Sequence, residues 1–225
     1  SQSAAGPAGP GQSVTEADAP APLEAYGRSK LAAERVVEGF SNRVATTIVR
    51  PCSVFGPWDR GFLSLFRLAQ RGWLIYPGIQ RHEMSLLHVD DVVDGLMNAS
   101  REQAAIGRTY FLASDSPVTW GEFGAHVSKA MGVAPRTVNL SSGLVSAAST
   151  VGEWLGRATG TAPLLCHSRA VLAAQPRWVC SASRARSEIG FNPSRSLPDA
   201  VRDTYLWYVR AGWLRDPRGA APVVN

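Results

Sequence analysis

The run from Val44 to Val49, Val-Ala-Thr-Thr-Ile-Val, limits most what this chain can become. It is β-branched and apolar with no alternation, as a strand buried on both faces of a parallel sheet requires. Pro51 ends it, since proline brings no N–H to a ladder. The segment before it, from Pro22 or Tyr26 to Phe40, is rich in helix formers. Leu31, Val36, Val37 and Phe40 offer one apolar face for the sheet, and Ala32 and Ala33 permit close approach. Gly39 and Asn42 are the candidate stops. A helix leading into a buried parallel strand belongs to an α/β fold. In such folds ligands gather beyond the C-terminal strand ends, where Pro51 to Pro57 emerges.

The helix opens with Tyr26-Gly27-Arg28-Ser29-Lys30. Tyrosine and lysine four apart share one helical face. A phenol carries protons poorly at neutral pH, and an ammonium held beside it favours the phenolate. The pair is a candidate acid/base couple. Judged by spacing alone, an ordinary amphipathic helix with a snorkelled lysine is the commoner outcome.

Three further segments stand in order around this pair. They are Ser1-Gln2-Ser3-Ala4-Ala5-Gly6, Arg50-Pro51-Cys52-Ser53-Val54-Phe55-Gly56-Pro57 and Leu86-Leu87-His88-Val89-Asp90-Asp91. Together they resemble the extended short-chain dehydrogenase/reductase superfamily, of the NAD(P)-dependent epimerase/dehydratase type, closest to its 3β-hydroxysteroid dehydrogenase-like branch. The resemblance runs from Ser1 to Leu214. It implies an α/β fold: the C-terminal part of a Rossmann-type parallel sheet plus a smaller α/β substrate-binding lobe. Residues 1–58 and 86–114 would form the sheet core, 59–85 an excursion into the lobe, 115–214 mainly the lobe, and 215–225 a tail.

The resemblance also implies an NAD(P)-dependent oxidoreductase that moves hydride between nicotinamide and an alcohol or ketone carbon. Tyr26 is then the proton donor or acceptor, Lys30 its activating partner and a ligand of the nicotinamide ribose. Ser1, five residues before Gly6, orients the substrate oxygen, with Ser3 the near rival. Pro51, Ser53, Val54 and Phe55 join Tyr26 and Lys30 around the cofactor. Ser3, Trp58, Arg81 and Met84 border the substrate. The cofactor is NAD or NADP, with NAD slightly favoured. Sugar-nucleotide epimerases of this superfamily usually place an arginine four residues before the histidine of the His-Val segment; here Met84 stands there and Arg81 lies three residues earlier. That raises an apolar, steroid-like substrate above a sugar nucleotide, whose epimerisation or dehydration is the alternative. His88 reads as a structural residue at a strand end.

No Gly-x-Gly-x-x-Gly or Gly-x-x-Gly-x-x-Gly turn is present, although a dinucleotide fold holds its pyrophosphate on such a turn. The chain therefore reads as the C-terminal part of a longer protein. A non-catalytic, dehydrogenase-like interaction subunit is a further alternative. The expected partners are a small-molecule substrate and either a second copy, as a homodimer, or the missing N-terminal segment.

Composition removes other classes. Hydrophobic residues make up 45% of the 225, which suits a globular chain. The net charge of +5 comes from scattered residues, with no basic run or stacking motif, so nucleic acid is not expected. Cys52, Cys166 and Cys180 have no close pairing, which fits a reducing compartment and a cytoplasmic location. His82, His126 and His167 lack partners at metal-ligand spacing, so no metal is expected. No apolar run is long enough to span a bilayer, and membrane contact is not expected. Leu140 to Trp154, the most apolar helical candidate, is read as a packed helix. No Gly-x-Ser-x-Gly elbow is present. Downstream, Thr119 and Glu122 form a capping box, Gly132 and Gly190 stop helices, and Ser196 starts the last one.

Overall fold

A computed structural model of the chain describes residues 1–77, 81–114, 116–141, 143–144, 171 and 175–215. A 3₁₀ turn, Gln2–Ala4, comes first, and a long loop leads to α1 (Ala25–Glu38). Then follow β1 (Ile48–Pro51), β2 (Ser53–Phe55), α2 (Leu63–Gln70), β3 (Trp73–Pro77), β4 (Glu83–Met84) and β5 (Leu86–His88). After them come α3 (Val89–Arg101), β6 (Thr109–Leu112), β7 (Val118–Thr119), α4 (Trp120–Met131) and β8 (Arg136–Leu140). The described chain closes with β9 (Arg177–Trp178), α5 (Ser183–Ile189) and α6 (Leu197–Arg210). The sequence also predicts helices at 143–156 and 163–173 and a turn at Pro77-Gly78; these, with Cys166, His167 and the tail after Arg215, fall wholly or largely outside the described residues.

Strand pairing is mainly parallel, as in the α/β class. β1 pairs with β6 in parallel, Arg50 opposite Phe111. β2 pairs with β5 and β3 with β8, again in parallel. β4 joins β9 in parallel and β7 antiparallel. Apolar side chains collect in two clusters. One centres on Tyr110, Phe111, Leu112, Ile189 and Phe191. The other centres on Phe55, Phe66, Tyr76, Phe123, Tyr205 and Tyr208.

The local punctuation read from the sequence is present. Thr119 and Glu122 make both halves of a capping box on α4, and Gly132 closes that helix with φ 67°. The Ser196 side chain caps α6, with proline in its first turn. α3 differs: the sequence offers Asp90 as its N-cap, but the cap is the His88 imidazole. Nδ1 accepts from the Asp90 N–H at 3.3 Å, and Asp90 and Asp91 fill the first turn.

The faces of two helices are the larger correction. Val36, Val37 and Phe40, expected against the sheet, are exposed, and the buried members of α1 are Gly27 and Glu34. On α3 the apolar spacing predicts Val92, Val93, Leu96 and Met97 inward, but Val93, Leu96 and Met97 face outward, while Asp91, Val92, Gly95 and Ala99 face inward. What holds α1 to the sheet is charge. Arg50 on β1 donates to Glu34 through Nη2 at 2.7 Å and through Nε at 3.1 Å, with both side chains buried. The guanidinium also lies 5.5 Å from the Phe111 ring centroid on β6. An apolarity count misses such a contact, because a carboxylate is buried only where a partner neutralises it.

Removing one charge strands the other. Arg50→Met is expected to cost about 3–5 kcal/mol in urea melts, and Glu34→Leu with Arg50→Met to recover much of it. A single variant as stable as the parent would show that the pair does not anchor α1. His88 sets a pH dependence. Burial lowers its pKa below the ordinary 6.5, Asp90, Asp203 and Asp91 oppose that shift, and Arg195 adds to it. The folded state thus resists the proton more than the unfolded chain does. This contribution is whole above pH ~6.5 and is lost as pH falls through the lowered folded value. His88→Asn keeps a capping acceptor and removes the titration, so its melting temperature should fall less than the parent's between pH 7 and 5. Parallel curves would refute the assignment.

Candidate active site

Two glycines bring the start of the chain to the start of α1. The loop after Ala5 returns on itself, and the Ala21 N–H donates to the Ala5 carbonyl at 2.8 Å. Gly6 sits at this crossing with φ 96°, and a Cβ there would lie 2.3 Å from the Ala21 oxygen. No other residue fits that backbone and that gap. The loop is laced to its surroundings along its length. Val14 N–H donates to Val179 O at 3.0 Å and Ser181 N–H to Val14 O at 2.8 Å. The Glu16 carboxylate accepts from the Phe111 N–H at 2.8 Å.

α1 then begins against the 3₁₀ turn. The buried Glu24 carboxylate accepts from the N–H groups of Tyr26 at 2.6 Å and Gly27 at 2.7 Å. Two of the orphan donors of the helix start are thereby satisfied, with negative charge at the positive end of the helix. A Cβ on Gly27 would come within 2.3 Å of the Ser3 carbonyl oxygen. Only glycine lets the first turn approach so closely, and this contact carries Tyr26 to the Ser1–Ser3 segment. Ser1 Oγ caps the 3₁₀ turn, accepting from the Ser3 N–H at 3.3 Å.

Tyr26 is 52% exposed, so its hydroxyl is accessible to a ligand. Lys30 Nζ lies 5.2 Å from the Tyr26 ring centroid, and Lys30 is exposed. Phenol, ammonium and serine hydroxyl thus come from one turn of α1 and the turn packed on it. As a donor set they match the nicotinamide–ribose end of a dinucleotide: hydroxyl-binding groups with no competing carboxylate bonded to Lys30 among the described residues.

The other sequence-predicted residues divide. Pro51, Ser53 and Val54 are half-buried at the end of β1 and in β2. Phe55 is fully buried, in edge contact with the rings of Phe62, His88 and Phe123. Met84 also lies in the core, and Arg81 is exposed. Trp58 is in an aromatic group with Trp207 and Trp213. Sequence reading missed Glu24, Gly27, Glu34 and Arg50. Glutamate is not among the favoured N-cap residues, and nothing in a sequence shows what a glycine approaches.

A cavity of about 360 Å³ lies elsewhere, between Phe55, His88, Asp91, His126, Arg195 and neighbouring residues. Tyr26, Lys30 and Ser1 do not line it. At its edge the ligand atoms of His88, Asp90 and Asp203 lie within 4.8 Å of one another. Arg195 already sits among them, 2.5 Å from Asp90 and 3.7 Å from Asp203, and His88 Nδ1 is taken by the helix cap. The cluster is an ion-pair network around a guanidinium. Cys52 and Cys180 are buried free thiols, and burial pushes Cys180 up to about 12, far from thiolate reactivity.

Known proteins give the context. The chain is 29% identical over 201 residues to the ceramide reductase of Caulobacter vibrioides, covering 85% of this chain and 59% of that protein. It is 25% identical over 201 residues to a decarboxylating sterol-4-alpha-carboxylate 3-dehydrogenase of Saccharomyces cerevisiae, covering 83% and 57%. The chain therefore spans a little over half the length of these curated relatives. Among solved structures, gox2253 superposes with a TM-score of 0.72 at 25% identity, over 96% of this chain and 66% of that one. A UDP-glucuronic acid 4-epimerase from Bacillus cereus, solved with UDP-glucuronic acid and NAD, gives 0.71 at 18% identity over 93% and 59%, a likeness of fold. The model of the NAD dependent epimerase/dehydratase family matches residues 1–113, half of the chain. The chain belongs to that family, within the extended short-chain dehydrogenase/reductase superfamily.

Proposed function

We propose that this chain carries the proton-transfer half of an NAD-dependent dehydrogenase site acting on an alcohol or ketone of an apolar substrate. One observation carries the reading: Tyr26 and Lys30 are held together on an accessible helix start, packed through Gly27 against the Ser1–Ser3 turn. In oxidation, Tyr26 takes the proton of the substrate hydroxyl as the C–H hydride departs; in reduction it returns a proton to the carbonyl oxygen. Lys30 places a cation that favours negative charge on the phenolic oxygen and bonds the ribose. Ser1 donates to the substrate oxygen and fixes its position. NAD, when bound, supplies the hydride acceptor at its nicotinamide. Pro51, Ser53 and Val54, half-buried at the end of β1 and in β2, would help hold the nicotinamide.

Two findings support an apolar substrate. Met84 stands where sugar-nucleotide enzymes of the superfamily carry a phosphate-binding arginine, and the structure buries it in the core. The curated relatives described above include a ceramide reductase and a sterol dehydrogenase.

Nicotinamide fluorescence on titration with NADH and NADPH tests the cofactor, with this chain alone and with the N-terminal dinucleotide-binding half of a relative added. NADH binding at least in the second case is expected; none in either would leave a dehydrogenase-like interaction subunit. In the binding form, Tyr26→Phe should lower turnover of a sterol-like alcohol by about 10²–10⁴-fold with little change in cofactor affinity. Unchanged turnover would remove Tyr26 from the chemistry. Gly27→Ala should move α1 off Ser3, lowering both thermal stability and turnover, because backbone cannot yield to a Cβ at 2.3 Å. Parent-like behaviour would show that the contact positions nothing.

A further inference from the structure

Among the described residues, the end of the molecule formed by the β2–α2 connection and the last turns of α6 presents tryptophan and arginine together. Trp58 is 76% exposed. Its ring centroid lies 4.9 Å from that of Trp207 and 6.2 Å from that of Trp213, and those two are 5.0 Å apart. Arg60 lies over the Trp213 ring at 5.1 Å. Arg210 is one turn beyond Trp207 on α6. Arg215 follows Trp213 and is tied to α2, its carbonyl accepting from the Gln70 side chain. All three arginines are exposed.

Among the described residues, no carboxylate forms an ion pair with any of the three. Asp59 accepts from the N–H groups of Gly61 and Phe62 at 2.7 and 2.9 Å, so it serves the turn. Asp203 faces Arg195 and His88.

The backbone at Trp58 makes the exposure costly. Gly56-Pro57-Trp58-Asp59 is a β-turn closed by Asp59 N–H to Gly56 O at 3.2 Å. Proline occupies its second position, and Trp58 its third with φ 69°. That is the type II position where glycine or asparagine is favoured, and a bulky residue there is an outlier. The chain thus holds an indole ring outward, at a site that glycine would occupy with less strain. Indole rings with one apolar body and one N–H concentrate at membrane–water boundaries, and arginines pair with lipid phosphates just above them.

We propose that this Trp58–Trp207–Trp213 face, with Arg60, Arg210 and Arg215, docks on an anionic lipid surface. Apolar rings side by side with guanidinium groups that make no ion pair among the described residues match the apolar–phosphate boundary of a bilayer. The docking is peripheral, and no helix among the described residues is long and apolar enough to cross a membrane. The sequence expectation of no membrane contact rests on the lack of a bilayer-spanning apolar run, which peripheral docking does not need. The inference does not depend on the dehydrogenase reading.

Co-sedimentation of the full chain with vesicles tests it. Vesicles of phosphatidylcholine with phosphatidylglycerol should take up the chain at low salt, and uptake should fall as salt rises. Pure phosphatidylcholine should take up far less. Trp58→Gly should bind at least ~10-fold more weakly while melting no lower than the parent, since the turn gains its favoured residue. Arg60→Glu with Arg210→Glu should lose binding to a similar extent. No uptake by anionic vesicles at low salt, or undiminished uptake by Trp58→Gly, would overturn the proposal. So would lipid-free self-association that Trp58→Gly abolishes, which would assign the face to a second copy of the chain.

Discussion

A single buried ion pair determines where the candidate chemistry sits. Glu34 and Arg50 are both out of water, and each is tolerated there only because the other neutralises it in a two-point contact. Tyr26, Lys30 and Glu34 recur at intervals of four along α1, so they form one ridge of the helix. Clamping Glu34 to β1 therefore sets both the rotation and the height of Tyr26 and Lys30 relative to the C-terminal end of that strand. An apolar contact at Glu34 would hold the helix with less directional constraint, because hydrophobic burial is non-directional and a guanidinium fork is not.

The other end of the ridge is fixed by backbone. Glu24 locks the first turn of α1, Gly27 lets that turn touch Ser3, and Gly6 lets the preceding loop close over Ala21. That loop is rich in proline and glycine, yet it is held by main-chain bonds to Val179 and Ser181. Its order follows from accounting for buried backbone groups, which must find partners wherever they lie. The first turn of α1, which carries Tyr26 and Lys30, is thus packed on the turn that Ser1 caps through backbone contacts rather than through those side chains.

Away from this ridge, charge and aromatic groups follow a different logic. Around His88, the cations and anions of α3, α6 and the segment before α6 satisfy one another, and Arg195 fills the place a metal ion would take. Around Trp58 no such ion pairs form among the described residues, and the arginines there are exposed beside the exposed Trp58 ring and the partly buried Trp207 and Trp213. The first arrangement closes a structure; the second is suited to meet something outside it.

Much of the framework was legible in the residues themselves. The capping box, the glycine stops and the β-branched run are local signals, decided within a few residues by backbone sterics and hydrogen bonding; they located α4, α5 and α6, but of the Val44–Val49 run only Ile48 and Val49 enter β1, half-buried, and Val44 stays exposed. The Tyr26–Lys30 pair was legible for the same reason, since helical spacing alone puts both on one face. The burial of α1 and α3 was not legible, because apolar periodicity shows which face is apolar but not which face meets a partner. Glu34 faces inward only because Arg50, on a separate strand, neutralises it. Gly27 matters only because Ser3 lies opposite, and the three tryptophans form a group only because α6 packs beside the turn after β2. The sequence by itself determined the elements, their class and the candidate acid/base pair, all of which rest on short-range geometry. Tertiary structure decided which faces are buried, how the start of α1 packs on the Ser1–Ser3 turn and where the aromatic end forms. Those features depend on charge neutralisation and close approach between residues far apart in the chain.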